Sequence, residues 1–80
     1  MSVRIVFLGP LSELAGGRER DVPGPLDWAA LLDAVGEPLA AQLRDHCVHV
    51  ACAGRVLTDK TSLAAQDGDE VALLPPVSGG

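Results

Sequence analysis

The residue types most suggestive of chemistry lie at the C-terminus, where two prolines are followed, after two further residues, by two glycines. The last six residues read Pro75-Pro76-Val77-Ser78-Gly79-Gly80. A terminal pair of glycines lacks Cβ atoms, so it can pass through a narrow channel and present its α-carboxylate for reaction. The prolines restrict φ and hold the segment extended, with a reach of about 20 Å over six residues. We expect a reactive tail at 75–80, although a frayed end, common at C-termini, has the same composition.

The remaining sequence contains no pattern typical of a catalytic centre. It has no Walker loop and no Gly-x-Gly-x-x-Gly segment that would bind a phosphate through backbone amides. Its serines lack the surroundings of a nucleophile elbow. The residues Asp67, Asp69 and Glu70 border a glycine and are typical of a solvated turn, which we favour over a weak cation site. We therefore expect no cofactor on this chain, and another protein must activate the Gly80 carboxylate.

Composition restricts the classes of partner. The chain has 80 residues, of which 48% are hydrophobic, which predicts one small domain at 1–74 with an aliphatic core. A formal net charge of −5 without a basic cluster argues against binding to nucleic acid or to an anionic membrane. No signal peptide or membrane-spanning stretch is visible in the sequence, so we expect a cytoplasmic location.

Two cysteines and two histidines lie close together, between residues 46 and 52. On a strand, Cys47 and Cys52 would point to opposite faces, which argues against a disulfide bond between them. The same alternation divides the cysteines and histidines between the two faces, so that neither face gathers the ligands of a closed tetrahedral zinc site. We therefore expect reduced thiols and no metal site in this segment.

Local patterns predict five strands, bounded by glycine, proline and aspartate. They cover residues 3–8, 18–22, 48–53, 56–57 and 70–74. The second strand is short and charged, as expected of an edge strand that runs antiparallel to the first. Asp67-Gly68 is a turn signal before the last strand. If the last strand pairs with the first, the tail leaves from the middle of the sheet.

One principal helix is predicted between the second and third strands. Asp27 is a candidate N-cap and Gly36 a candidate stop, and apolar residues recur between them at helical spacing. These residues are Trp28, Leu31, Leu32 and Val35. Shorter helices are predicted at 11–15 and from Pro38 onward. The order β-β-α-β-β-β indicates an α+β fold in which a sheet wraps over one helix.

The first and last strands carry more apolar residues than one buried face requires. If Phe7 and Leu73 point toward the helix, then Leu8 and Leu74 point outward on adjacent strands. An apolar patch at the root of the tail is typical of a partner-binding surface. Scattered surface leucines are the alternative, and the nearness of the tail favours the partner.

Four segments occur in the chain in an order that resembles a known family. They are the strand Val-Arg-Ile-Val-Phe-Leu, residues 11–16, the Asp-Gly-Asp-Glu-Val turn and the terminal Pro-Pro-Val-Ser-Gly-Gly. Together they resemble the small subunit of molybdopterin synthase (MoaD-like) over the whole chain. The resemblance implies a ubiquitin-like β-grasp, a mixed sheet of about five strands over one principal helix with one or two short helices. It also implies a large-subunit interface on Leu8, Val56 and Leu74. Ala53 departs from the family pattern, in which a polar residue is expected.

The resemblance also implies a function for the tail. An adenylating, E1-like enzyme would use ATP to join AMP to the Gly80 carboxylate, and a sulfur donor would displace AMP to leave a thiocarboxylate. Docking on the large subunit would bring this sulfur to a pterin precursor in molybdenum cofactor biosynthesis. Gly79 and Gly80 would serve passage and chemistry, while Pro75, Pro76, Val77 and Ser78 would contact the partner. The chain would be a sulfur-donating subunit, not catalytic alone, in a heterotetramer of two small and two large subunits.

Three other interpretations of the tail stay open. A sulfur carrier for thiamine thiazole or cysteine synthesis would use the same chemistry with a different acceptor, and co-purification of a large subunit would distinguish the two. A ubiquitin-like modifier would instead join Gly80 to lysines of other proteins through an isopeptide bond. A plain interaction module with an inert tail is the weakest of the three.

Overall fold

Short strands alternate with helices in the computed structural model, which describes residues 2–76. The strands are β1 Ser2–Phe7, β2 Glu19–Pro23, β3 Leu26–Asp27, β4 His49–Cys52, β5 Arg55–Val56, β6 Ala64–Ala65 and β7 Glu70–Leu74. The helices are α1 Pro10–Ala15, α2 Trp28–Val35 and α3 Leu39–Arg44, with a 3₁₀ turn at Lys60–Ser62. Five strands form one sheet in the order β2-β1-β7-β4-β5, and β3 pairs with β6 in a second, two-stranded sheet.

The centre of the five-stranded sheet is the parallel pair of β1 and β7. β2 pairs with the other edge of β1, and β4 with the other edge of β7, both antiparallel. The sheet is therefore mixed, and the predicted pairing of the first and last strands is confirmed. Because β7 lies third in the order, the chain leaves the sheet at its middle, beside the end of β1.

One face of the sheet packs on α2 and α3 and forms an aliphatic core. The bulkiest fully buried side chains of this core are Ile5, Leu31, Leu43, Leu73, Val3, Val48, Val50 and Val71. The helix α2 begins as predicted, since the Asp27 carboxylate accepts a hydrogen bond of 2.8 Å from the backbone N–H of Ala30. Trp28 belongs to the apolar face predicted for this helix. It is half-buried against the core, and the Lys60 ammonium lies 5.8 Å from its ring centroid.

Several boundaries differ from the predictions by one or two residues, and three short elements were not predicted. Pro38 is the N-cap of α3 and precedes its first residue. β4 begins at His49 instead of residue 48, and β5 starts one residue earlier than expected. The elements β3, β6 and the 3₁₀ turn span only two or three residues. Elements of this length are too short to show periodicity in the sequence. The strands among them are defined by pairing with distant segments of the chain.

A mixed sheet of five strands over one principal helix, with two shorter helices, is a β-grasp, as predicted from the sequence. The fold presents one face of the sheet to the helices, and no element among residues 2–76 covers the other face, here called the outer face. Within residues 2–76, none of the helices combines the length and apolar character that crossing a bilayer requires.

Candidate functional site: the outer face and the tail root

Strand register gathers small and medium aliphatic side chains in one row across the outer face. Val6 pairs with Ala72, Ala72 with Ala51, and Ala51 with Val56, so the row crosses four strands. A second row, one step toward the carboxyl end of β7, contains Leu74 and continues to Leu8 just past the end of β1. We call these residues the outer patch: Val6, Leu8, Ala51, Val56, Ala72 and Leu74.

The exposure of the outer patch follows from alternation along the strands. Phe7 and Leu73 fill the core, which leaves their neighbours Leu8 and Leu74 on the opposite face. Leu8 is 39% exposed and Val56 is 60% exposed, while Leu74 is half-buried. A contiguous apolar surface of this kind on a small domain is typical of a binding site for another protein.

Charged side chains border the outer patch at the end remote from the tail. Arg4 on β1 pairs with Asp21 on β2 at 3.6 Å, and Glu70 on β7 lies beside Arg4 in the parallel register. Glu19 on the edge strand lies opposite Val6. This border carries three carboxylates and one guanidinium, so a matching partner would present an apolar centre with a basic margin on that side.

Gly9 holds the root of the tail close to the end of β1. Its φ of 57° lies in the left-handed region, and a Cβ at this position would lie only 3.2 Å from Cγ of Pro75. The backbone N–H of Leu8 also donates to the carbonyl of Leu73 at 3.3 Å. Pro75 is therefore packed beside Leu8, and the tail begins at the edge of the outer patch.

Beyond Gly9, the two prolines line a surface groove with a volume of about 640 Å³. Helix α1 forms the facing wall through Pro10 and Leu14, and Gln42 of α3 closes one end. Pro75 is half-buried there and Pro76 is exposed. The tail root and α1 therefore face each other across this groove.

The turn before β7 uses its acidic residues for hydrogen bonds. The Asp69 carboxylate accepts from the backbone N–H of Gln66 at 2.9 Å, and the N–H of Gly68 donates to the carbonyl of Ser2 at 2.8 Å. The prediction of a turn at this position is confirmed. These contacts fix the start of β7 next to the start of β1, which sets the register of the central strand pair.

The predicted site residues fall into two groups. Leu8, Val56, Leu74, Pro75 and Pro76 all lie on the outer face or at the tail root. The other predicted site residues, Val77, Ser78, Gly79 and Gly80, lie outside the described residues. Sequence reasoning missed the two alanines of the outer patch, which the alternation along β4 and β7 would have found. In the described part of the chain, the outer patch consists of aliphatic side chains, which suit contact with another protein and carry no reactive group.

Two comparisons with known proteins match all or nearly all of the chain. A family model described as the ThiS family matches residues 5–80 of this chain. The chain is also 31% identical over 83 residues to the molybdopterin synthase sulfur carrier subunit of Mycobacterium tuberculosis, and the match covers 100% of this chain and 99% of that protein.

Solved structures share the fold. The crystal structure of the protein SAMP1 from Haloferax volcanii is 30% identical with a TM-score of 0.76, and the match covers 100% of both chains. A complex of subunits 1 and 2 of the molybdopterin-converting factor from Helicobacter pylori contains a chain that is 24% identical, with a TM-score of 0.66 and 100% coverage of both chains. These similarities agree with the β-grasp topology described above.

Proposed function

The chain belongs to the ThiS family, and from that membership we propose that it is the sulfur-carrying small subunit of a molybdopterin synthase. The 31% identity to a molybdopterin synthase sulfur carrier subunit over 100% of the chain supports this choice within the family. In this function the chain is a cosubstrate, and catalytic side chains belong to its partners.

The proposed chemistry takes place at the carboxylate of Gly80. An adenylating enzyme transfers AMP from ATP to this carboxylate and releases pyrophosphate, which gives a mixed anhydride with a good leaving group. A sulfur donor attacks the carbonyl carbon and displaces AMP, and the terminus becomes a thiocarboxylate. Its sulfur then attacks a carbon of the pterin precursor inside the large subunit and displaces an oxygen there, and tethering raises the effective concentration of the nucleophile. Water then cleaves the bond between the Gly80 carbonyl and the sulfur, which leaves the sulfur on the pterin and restores the Gly80 carboxylate.

The continuity between the outer patch and the tail root is the observation that carries this proposal. Leu74 belongs to the outer patch and is followed directly by Pro75, which is packed beside Gly9. A partner that covers the outer patch therefore lies next to the start of the tail. Six extended residues reach about 20 Å from there, enough to enter an active site in the same partner. We propose a large catalytic subunit in this position, in a heterotetramer with two copies of each subunit, and the Helicobacter pylori complex of two subunits supports such a partner.

Mass spectrometry of the C-terminal tryptic peptide tests the proposal. The protein is incubated with its adenylating enzyme, ATP and a sulfur donor, and trypsin then cleaves after Lys60 to release residues 61–80. We expect one oxygen to be replaced by sulfur at Gly80, located by fragment ions. Added oxygen has nearly the same mass as this exchange, but residues 61–80 contain no Met, Cys or Trp to oxidise. The peptide therefore separates sulfur loading from side-chain oxidation.

The control for this experiment is a second carrier protein that the same enzyme is known to load. If that carrier gains sulfur while Gly80 stays unmodified, the proposed function is wrong. If Gly80 gains sulfur, the pterin acceptor is tested next, by co-purification of the large subunit and by sulfur transfer to the precursor.

Conjugation to other proteins is the second candidate function. It is favoured by the similarity to SAMP1, the small archaeal modifier protein 1, with 30% identity and a TM-score of 0.76. In this case the adenylated Gly80 would pass to a lysine amine and form an isopeptide bond. High-mass conjugates that disappear when Gly80 is deleted would distinguish a modifier from a sulfur carrier.

If conjugates form, we expect each modified lysine to carry a single copy of this chain. Lys60 is the only lysine in the sequence. Copies of this chain could therefore be linked to one another through lysine only at Lys60. Its amine donates to the carbonyls of Asp45 and Val48 and lies over Trp28. These contacts hold the amine away from an incoming acyl group.

Peptide mapping of the conjugates checks this expectation. Trypsin leaves residues 61–80 of the modifier on each modified lysine, and we expect no such branch on Lys60. The matched variant Lys60→Arg keeps the positive charge and removes the amine, and its conjugate pattern should equal that of the native protein. If conjugates of higher mass disappear in Lys60→Arg, Lys60 does carry further copies and the expectation is wrong.

A further inference from the structure

Three consecutive residues between α3 and β4 bring three different metal-binding groups together. The Asp45 carboxylate lies 3.7 Å from Nδ1 of His46, and Nε2 of His46 lies 3.6 Å from Sγ of Cys47. One ligand atom from each residue can be chosen so that all three lie within 4.8 Å of one another. All three side chains are exposed, so an ion can reach them from solvent. We call residues 45–47 the loop cluster.

The backbone of the loop cluster is fixed by hydrogen bonds from both sides. The Asp45 carboxylate accepts from the N–H of Cys47 at 2.8 Å, and the Asp45 carbonyl accepts from the N–H of Val48 at 3.0 Å. Lys60 donates to the same Asp45 carbonyl and, at 2.9 Å, to the carbonyl of Val48. Ligand side chains on a fixed backbone lose less conformational entropy when they bind an ion.

The distance between the imidazole and the thiol suits a tetrahedral ion. With Zn–S near 2.3 Å and Zn–N near 2.0–2.1 Å, tetrahedral geometry separates the two ligand atoms by about 3.6 Å. The observed separation of Nε2 of His46 and Sγ of Cys47 is 3.6 Å. One oxygen of the Asp45 carboxylate lies no more than 4.8 Å from a ring nitrogen of His46 and from Sγ of Cys47, so a movement of about 1 Å brings this oxygen to a tetrahedral edge.

We propose that the loop cluster binds one zinc-like divalent ion through Asp45, His46 and Cys47, with water as the fourth ligand. Thiolate, imidazole and carboxylate together form a ligand set that zinc accepts, and three protein ligands with one open position are typical of a reactive rather than a closed site. The two anionic ligands balance the charge of the ion, and the chain as a whole carries a net charge of −5.

This site differs from the one that sequence analysis considered and rejected. That argument placed residues 46–52 on one continuous strand, whereas β4 begins only at His49. Because Asp45, His46 and Cys47 lie in the preceding loop, strand alternation does not separate their side chains. Cys52 remains apart from them. It is half-buried on the inner side of β4, and burial raises the pKa of its thiol.

The loop cluster lies at the end of the sheet where the tail begins. It leads into β4, whose first residue, His49, pairs with Leu74 at the end of β7. An ion bound there would occupy the same end of the domain as Pro75, on the far side of β7 from β1. The proposal does not rest on the proposed function, since the three ligands lie outside the tail and the outer patch.

Titration of the full-length protein with Zn²⁺, and separately with Co²⁺ as a spectroscopic probe, tests the proposal under a phosphine reductant. We expect one ion per chain and, with Co²⁺, a thiolate-to-metal charge-transfer band with the intense visible absorption of tetrahedral cobalt. Cys47→Ser should abolish the charge-transfer band. Asp45→Asn, which preserves shape but removes the anionic oxygen, should weaken zinc binding at least about tenfold.

The matched control is Cys52→Ser, which removes the other thiol and should leave both the affinity and the spectrum unchanged. The domain should stay folded in each variant, because the two altered ligands, Asp45 and Cys47, are exposed and Cys52→Ser is a near-isosteric replacement at a half-buried position. The proposal is wrong if the native protein and Cys47→Ser bind zinc equally well, because the zinc would then be bound by carboxylates elsewhere on the surface. It is also wrong if the charge-transfer band disappears in Cys52→Ser but persists in Cys47→Ser.

Discussion

Deletion of Gly80 is expected to abolish sulfur loading and sulfur transfer while the domain remains folded. Adenylation needs a carboxylate at the end of the two-glycine segment, and removal of one residue shortens the reach of the tail by about 3.3–3.6 Å. A displacement of this size moves the reacting carbon out of attack geometry, for which about 1 Å already costs about 100-fold in rate. We therefore expect activity below the detection limit in a reconstituted assay with the adenylating enzyme and large subunit.

The matched control for this deletion is Asp33→Asn on the exposed side of α2, which leaves every residue of the tail unchanged. It should retain most of the transfer activity, because the reacting carboxylate stays in place. Urea unfolding should give the same free energy for the deletion, the control and the native protein, since the tail follows the last strand. Full sulfur transfer by the shortened chain would contradict the role of Gly80.

The central strands and the principal helix were predictable because their signals are local. The bounds of β7 match the prediction, since a turn signal precedes it and prolines follow it. The helix α2 carries its own N-cap at Asp27 and its own stop at Gly36. In contrast, β3 and β6 exist because Leu26 pairs with Ala65 across the fold. No local pattern reports a contact between residues so far apart in the chain.

The outer patch was only partly predictable for a similar reason. Alternation placed Leu8 and Leu74 on the outer face, since both belong to long apolar runs with a clear inner set. The position of Val56 came from the family resemblance. Alternation along β4 is enough to place Ala51 on the outer face, and the register of β4 with β7 adds that Ala51 lies beside Ala72. The loop cluster was missed because the argument against a metal site applied strand alternation to residues 46–52, whereas Asp45, His46 and Cys47 lie in the loop before β4.

Replacement of Val56 by glutamate is expected to weaken binding of the large subunit by at least about 100-fold, or about 2.8 kcal/mol. Val56 is 60% exposed in the row that crosses β1, β7, β4 and β5. If a partner covers this row, the new carboxylate must lose its water without gaining a counter-ion, and that desolvation is unfavourable. Isothermal titration calorimetry with the purified large subunit measures the change.

The matched control is Ala29→Glu, which adds the same charge on the exposed side of α2, across the core from the outer face. Both variants should unfold in urea within about 0.5 kcal/mol of the native protein, because both sites are exposed. Sulfur loading by the adenylating enzyme is measured alongside, and its retention in Val56→Glu would show that the tail is still accepted as a substrate. Equal affinities of Val56→Glu and Ala29→Glu for the large subunit would mean that the partner binds elsewhere, and the link between the outer patch and delivery of the tail would then be lost.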